Sequence, residues 1–527
     1  MMVNAATLGV PETFNAATHF VDRHIADGRA DRIAIECGEE RVTYGELFAS
    51  VNRFGTALRD AFDVRPEERV LLLLSDGPAF ALAFFGAIKV GAVPVPLNTL
   101  WRPADYEHVV RDSQARVLVV SAELLPNIER MAPEVRRRVR HVVVAGPERG
   151  EGSLSLLLDS GSPSLEAEPT HRDAPAFWLY SSGSTGAPKG CIHLQHDMVV
   201  CAELFAKGVL GIGPADRCFS VAKLFFAYGL GNALYFPLAV GATSILSPGP
   251  PAPQHVYDVI ERHRPTLLFS VPTGYGMLLA QGRPDRPNAS DFDLSSIRLA
   301  VSAGEALPPA LYERFKQRFG IDILDGIGST ETLHMFISNR PGAIRPGSSG
   351  ELVRGYAARL IDDSGHQVQP GEIGNLLISG DSVCAGYWHR HEKTKDTIEG
   401  HWIRTGDKYA QDADGYYWYA GRSDDMLKVG GMWVSPVEVE NALVAHASVL
   451  ECGVVAREDR DGLVKPVAFV VLRAGVPGTE ALARELQQFV RERLAEYKRP
   501  RWVEFLPELP KTATGKIQRF RLRGSIG

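Results

Sequence analysis

Between residues 70 and 302 the chain alternates short apolar runs with longer amphipathic stretches. The runs are VLLLL at 70–74, VLVV at 117–120, VVV at 142–144, TLLF at 266–269 and LAVS at 299–302. Continuous rather than alternating apolarity marks strands covered on both faces, the pattern of a parallel sheet wrapped by helices. A further run, FWLY at 177–180, reads as a strand that feeds a Ser/Gly-rich loop. The longest apolar stretch, 79–88, is broken by Lys89. It falls well short of the roughly 20 residues a membrane-spanning helix needs, and so predicts a buried helix. The proline-rich pieces AVPVPL at 92–97 and PGPPAP at 248–253 read as joins between elements.

After residue 349 the pattern shortens and alternates, with Asp/Gly turns at 360–365, 371–374 and 412–415, which predicts an antiparallel β subdomain. Turn-forming residues near 421–425 precede a fresh mixed pattern. It comprises a helix at 436–446, strands at 449–455 and 467–472, and a second helix at 480–494. The expected organisation is α/β. A large N-terminal domain, 1–423, holds α/β subdomains plus a β subdomain, and a small α+β domain spans 424–527.

Composition narrows the function classes. The 527 residues are 45% hydrophobic and 23% charged, which is globular. A formal net charge of −6 gives no electrostatic reason to expect a nucleic-acid partner. The N-terminus lacks a basic region followed by an apolar core, so a cytoplasmic location is the default expectation. The six cysteines show neither metal-site spacing nor a disulfide framework and are expected to be reduced packing residues.

The richest chemistry lies in Tyr180-Ser-Ser-Gly-Ser-Thr-Gly-Ala-Pro-Lys-Gly190. Gly183, Gly186 and Gly190 let backbone N–H groups approach an anion, while Ser181, Ser182, Ser184 and Thr185 add hydroxyl donors. A Walker A loop needs Gly-Lys followed directly by Ser or Thr. Here Lys189 sits between Pro188 and Gly190, which disfavours a kinase or motor ATPase.

Four further motifs follow in order: Gly328-Ser-Thr-Glu331, Arg404-Thr-Gly-Asp407, Tyr419-Ala-Gly-Arg422 and Pro510-Lys-Thr-Ala-Thr-Gly-Lys516. With the Ser/Gly loop they make the chain resemble, over nearly its whole length, the adenylate-forming superfamily of acyl-CoA synthetases, peptide-synthetase adenylation domains and luciferases. The resemblance implies a two-step reaction, in which a carboxylate attacks the α-phosphate of ATP and a thiol then displaces AMP from the acyl-adenylate.

It also implies roles for particular residues. Glu331 would bind Mg2+, and Thr330 would lie near the α-phosphate. The loop of Ser181, Ser182, Gly183, Ser184, Thr185 and Gly186 would hold the departing phosphates, with Lys189 as a loop stabiliser. Ala303, Gly304 and Glu305 would line the adenine pocket, with Asp325 and Gly326 at the base edge. Ile327 stands where most relatives carry a tyrosine over adenine. Asp407 would accept the ribose hydroxyls, Arg422 would reach ribose or phosphate, and Tyr419 would pack nearby. Lys516 would contact the reacting carboxylate and α-phosphate, Asp424 would be the hinge of a mobile small domain, and Gly430 and Gly431 would border a pantetheine tunnel.

Phe226 falls where relatives place an aromatic gate over the acyl site. Ala227, Tyr228, Gly231 and Gly328 suggest a flat, shallow slot, with no fixed carboxylate for an α-amino group. His334 either closes the pocket end or is a packing residue. The segment Gly326-Ile-Gly-Ser-Thr-Glu-Thr-Leu-His334 most resembles benzoate-CoA ligases. The expectation is therefore a small aromatic carboxylate, ATP, Mg2+ and coenzyme A as reactants, in a monomer or homodimer. A ligase for a hydroxybenzoate, a heteroaromatic acid or a short fatty acid, or a carrier-protein-loading enzyme, stays open.

Overall fold

Two sheets with parallel strands carry most of the first 350 residues. The computed structural model describes residues 3–148, 150, 152–181, 188–281, 292–423, 425–429, 432–460, 463–511 and 517–524. Ser182, Gly183, Ser184, Thr185, Gly186, Asp424, Gly430, Gly431 and Lys516 lie outside them. Among the described residues one sheet has the order Val93–Pro96, Arg69–Leu73, Val117–Ser121, His141–Ala145, parallel throughout. A second, nine-stranded sheet contains six parallel neighbours: Ile33–Cys37, Thr243–Leu246, Arg217–Ser220, Leu267–Ser270, Leu299–Ser302 and Ile323–Gly328. Antiparallel strands flank both ends. Every residue of Val117–Ser121, Leu267–Ser270 and Leu299–Ser302 is buried, as continuous apolar runs require. The helix Pro78–Lys89 is buried from Phe80 onward.

The segment read as a join at 92–97 is instead a strand, Val93–Pro96, at a sheet edge. Its prolines fit because of their phase. The Val93 and Leu97 N–H groups donate to Glu68 O and Leu72 O (2.8 and 2.9 Å), so Pro94 and Pro96 take the alternate positions, where no ladder donor is needed.

The hydroxyl-rich loop follows the strand Pro175–Ser181, which pairs antiparallel with Lys189–Leu194. Lys189 is therefore the first residue of a strand. Beyond residue 350, Ala357–Ile361, Gly374–Ser379, Trp402–Gln411 and Tyr417–Arg422 form the expected antiparallel sheet. Toward the C-terminus, Val449–Glu458, Val464–Leu472 and Trp502–Phe505 form a sheet backed by the helices Pro436–Val444 and Glu480–Arg491. Ser435 and Thr479 cap those helices by accepting from the Glu438 and Leu482 N–H groups. An apolar cluster that includes Val439, Leu443, Val470 and Leu486 gives this region a core of its own.

All six cysteines are free thiols, five of them buried. Among the described residues no helix is long and apolar enough to cross a membrane.

Candidate active site

A cavity of about 1610 Å³ opens where open α/β sheets place ligands, outside the carboxyl ends of parallel strands. Leu299–Ser302 and Ile323–Gly328 are register neighbours, with Ser302 opposite Asp325. Their carboxyl-end loops therefore bring Gly304 and Glu305 alongside Gly326, Ile327 and Gly328 at the cavity wall. Gly304 has φ +91°, a left-handed turn that glycine takes without strain. Ala303 and Asp325 lie buried just beneath. The Leu307 N–H donates to Asp325 Oδ2 (3.2 Å), and burial pushes the Asp325 carboxyl up to about 8.

The turn at Ser329–Leu333 carries Thr330 and Glu331 into the same cavity. Its backbone is held from the opposite side. Thr330 O faces His193 Nε2 (2.8 Å), Glu331 O accepts from the Cys384 N–H (2.7 Å), and Thr332 O accepts from the Ser382 hydroxyl (2.8 Å). Leu333 takes φ +65°, an uncommon value for a branched residue, where the turn reverses into the strand Met335–Ser338. The Tyr387 hydroxyl donates to Glu331 Oε1 (2.8 Å), and the Ser181 hydroxyl reaches the same oxygen (3.4 Å). Lys189 Nζ stands 4.7 Å from the Tyr387 ring centre, a cation–π contact beside the carboxylate.

Across the cavity, Asp407 and Arg422 sit opposite each other on paired strands. Arg422 Nη1 donates to Asp407 Oδ1 (3.2 Å) and to Thr405 O (3.0 Å). Gly406, at φ +77°, makes room for that guanidinium, because a Cβ there would lie 2.6 Å from Arg422 Nη2. Tyr419 lines the same wall, packed 5.3 Å from the Tyr409 ring.

Among the described residues no group of three His, Cys, Asp or Glu side chains could hold a metal. Glu331 offers one carboxylate at a cavity wall. That donor set suits Mg2+, which is typically held by one or two carboxylates together with substrate phosphate oxygens.

The residues expected around the acid lie beyond Gly328, away from the cavity wall, and they are tightly packed. A Cβ on Gly231 would stand 2.6 Å from His334 Cδ2. His334 is wedged among Phe236, Phe205 and Tyr228, at ring distances of 4.5, 5.1 and 5.6 Å. Its Nε2 pairs with Asn232 Oδ1 (3.0 Å), so that nitrogen carries the proton and Nδ1 presents a lone pair. Nδ1 has no hydrogen-bond partner among the described residues, and burial pushes the imidazole down to about 3. Tyr228 donates to Val301 O (3.0 Å), Ala227 is buried, and Phe226 packs on Phe225 at 4.4 Å. The structure thus gathers the described residues of the expected set at two adjoining places. Tyr387, His193 and Asn232 join them with no motif to announce them; only the fold brings such sequence-distant residues together.

Two family models match the chain: the AMP-binding enzyme model over residues 22–388 and the AMP-binding enzyme C-terminal domain over 438–516. The chain belongs to the AMP-binding enzyme family. Among its relatives is a benzoate–CoA ligase of Thauera aromatica, 51% identical over 98% of this chain and 97% of that one. Another is a 4-hydroxybenzoate–CoA/benzoate–CoA ligase of Rhodopseudomonas palustris, 44% identical over 97% and 94%. Two solved structures share the architecture. An anthranilate CoA ligase in complex with anthranoyl-AMP gives a TM-score of 0.93 at 45% identity, covering 99% of each chain. A benzoate CoA ligase from Burkholderia xenovorans LB400 gives 0.89 at 46%, covering 97% of this chain and 100% of that one.

Proposed function

We propose that this AMP-binding enzyme is an acid–thiol ligase that converts benzoate, ATP and coenzyme A into benzoyl-CoA, AMP and pyrophosphate. The observation that carries the proposal is 51% identity to a benzoate–CoA ligase along almost the entire chain. A free carboxylate is a poor acyl donor, and AMP supplies the leaving group it lacks. Attack on the α-phosphate brings two anions together, so the site must neutralise charge. Mg2+ held by Glu331 would supply Lewis-acid stabilisation of the phosphate oxygens.

The chain's own residues have distinct tasks in this reading. Asp407 accepts from the ribose hydroxyls with a carboxylate steadied by Arg422. Thr330 stands near the α-phosphate, and the loop from Ser181 to Gly186 holds the two phosphates that leave. Gly304, Glu305, Asp325 and Ile327 enclose adenine, with Ile327 giving aliphatic contact. Tyr228, Gly231, Gly328 and His334 shape the ring pocket, behind a gate at Phe226. Lys516 follows the charge as it moves during adenylation. Residues 424–527 act as a small mobile domain that turns about Asp424 and then presents the Gly430–Gly431 side for thiolysis.

Carboxylate-dependent AMP release, with and without CoA, across benzoate, hydroxybenzoates, aminobenzoates, short fatty acids and long fatty acids tests the substrate class. Benzoate should lead and turnover should require CoA; a long-chain acid outpacing benzoate would overturn the pocket reading. Lys516→Ala should lose adenylation by about a thousandfold yet keep thiolysis of supplied benzoyl-adenylate. Equal loss of both half-reactions would remove the division of labour between the domains. One observation favours a second reading within the same class. The unpartnered His334 Nδ1 could accept from a ring hydroxyl or amino group, which would make substituted benzoates substrates as well.

A further inference from the structure

Of the three donors that hold the motif turn from behind, two are side chains: Ser382, which the Tyr356 hydroxyl contacts at 2.6 Å, and His193, which Asp197 braces. His193 lies on the strand Lys189–Leu194, whose first residue reaches the cavity. Its Nδ1 is 2.8 Å from Asp197 Oδ2, four residues on, and neither side chain has exposed surface. The Leu194 N–H donates to the same Asp197 oxygen (3.1 Å). The imidazole also stacks on Phe177 with ring centres 5.2 Å apart and planes 21° from parallel. Ring plane and brace together leave Nε2 one direction, toward Thr330 O at 2.8 Å.

A backbone carbonyl only accepts, so Nε2 bears a proton, and a second proton is shared in the Nδ1–Oδ2 contact. Burying an imidazole and a carboxylate together costs desolvation that a pair of apolar side chains would avoid. What the arrangement provides is orientation, because the residue it grips is Thr330, next to Glu331. With the Thr330 carbonyl pinned outward, the side chains of both residues are directed into the cavity.

We propose that His193, braced by Asp197, is a positioning residue for adenylation that sets how Thr330 and Glu331 enter the site. The proposal rests on the reading of the protein as an AMP-forming ligase. Its test uses the two amides that each mimic one ring nitrogen. His193→Asn places an N–H near Nδ1 and loses the donor to Thr330; His193→Gln places one near Nε2 and retains that donor. Benzoate-dependent pyrophosphate exchange should fall about a hundredfold in kcat for His193→Asn, with the KM for benzoate little changed, and His193→Gln should recover at least about tenfold of the loss.

Thiolysis of supplied benzoyl-adenylate by CoA, measured on the same preparations, should persist in both variants and reports a folded enzyme. Equal exchange rates in the two variants, or a parallel fall of exchange and thiolysis, would overturn the proposal. If His193→Asn does not fold, Asp197→Asn carries the test. It should slow exchange while sparing thiolysis, and a parallel fall there would again overturn it. Absence of exchange in the unsubstituted protein would instead sink the ligase reading, and the positioning role with it.

Discussion

The proposed nucleotide end and the proposed acid end of the site are built on opposite terms. Around Thr330, Glu331, Asp407 and Arg422 the walls are polar and stand open on a large cavity. Around Gly231, Asn232 and His334 the walls are aromatic, buried and in contact. The first end offers charges and acceptors in place before anything binds; the second offers shape. Recognition of ATP should therefore depend on individual polar groups, and choice of acid on volume and on the single lone pair of His334.

Filling the acid end should break this comparison most sharply. Gly231→Ala puts a methyl 2.6 Å from His334 Cδ2 and 2.9 Å from the Tyr235 hydroxyl. His334 is held by Asn232 and its ring neighbours, so it cannot retreat without repacking them. The kcat/KM for benzoate should drop by about a hundredfold, since shape errors near a reacting centre are costly. The KM for ATP should hardly move. A matching rise in the ATP KM would show that the two ends are not separable.

At the other end the expected effect is smaller. Asp407→Asn replaces an acceptor-only carboxylate with a group that also donates, and removes the charge of one of the two acceptors of Arg422 Nη1, leaving Thr405 O. Losing the charge-assisted hydrogen bonds proposed to the ribose should raise the KM for ATP by about tenfold. The rank order of acids should stay as it was. A reordered panel of acids would overturn the assignment of Asp407 to the nucleotide.

The two ends also differed in how far sequence could read them. Strands such as 299–302 were legible because buried parallel strands demand unbroken apolar runs, and the polar motifs were legible because they are local. The strand at 93–96 was not, since its prolines look like punctuation until an edge position makes their missing N–H groups harmless. Lys189 looked like a loop residue for the same reason, as only pairing with Ser181 makes it a strand start. The Tyr387 hydroxyl on Glu331 and the His193 donor to Thr330 join residues 56 and 137 positions apart. No spacing rule encodes such pairs; they exist once the sheets have placed their loops side by side. At the acid end, Tyr228 and His334 could be named but the tight fit of Gly231 against His334 could not, because it depends on a Cβ-to-ring distance.

A last expected effect is on stability and concerns Asp325, a carboxyl at the proposed nucleotide end that is kept from water. Its folded-state value near 8 lies far above the ordinary 3.8, because burial penalises the ionised form. Between about pH 4 and pH 8 the folded protein then holds a proton that the unfolded chain has released, so stability falls as pH rises across that window. Asp325→Asn has no proton to lose, and the difference in melting temperature between variant and parent should grow in the variant's favour from pH 5 to pH 8. A flat difference in melting temperature would mean that Asp325 is solvated through the cavity. The nucleotide end would then be still more open, and the contrast with the sealed imidazole at His334 sharper.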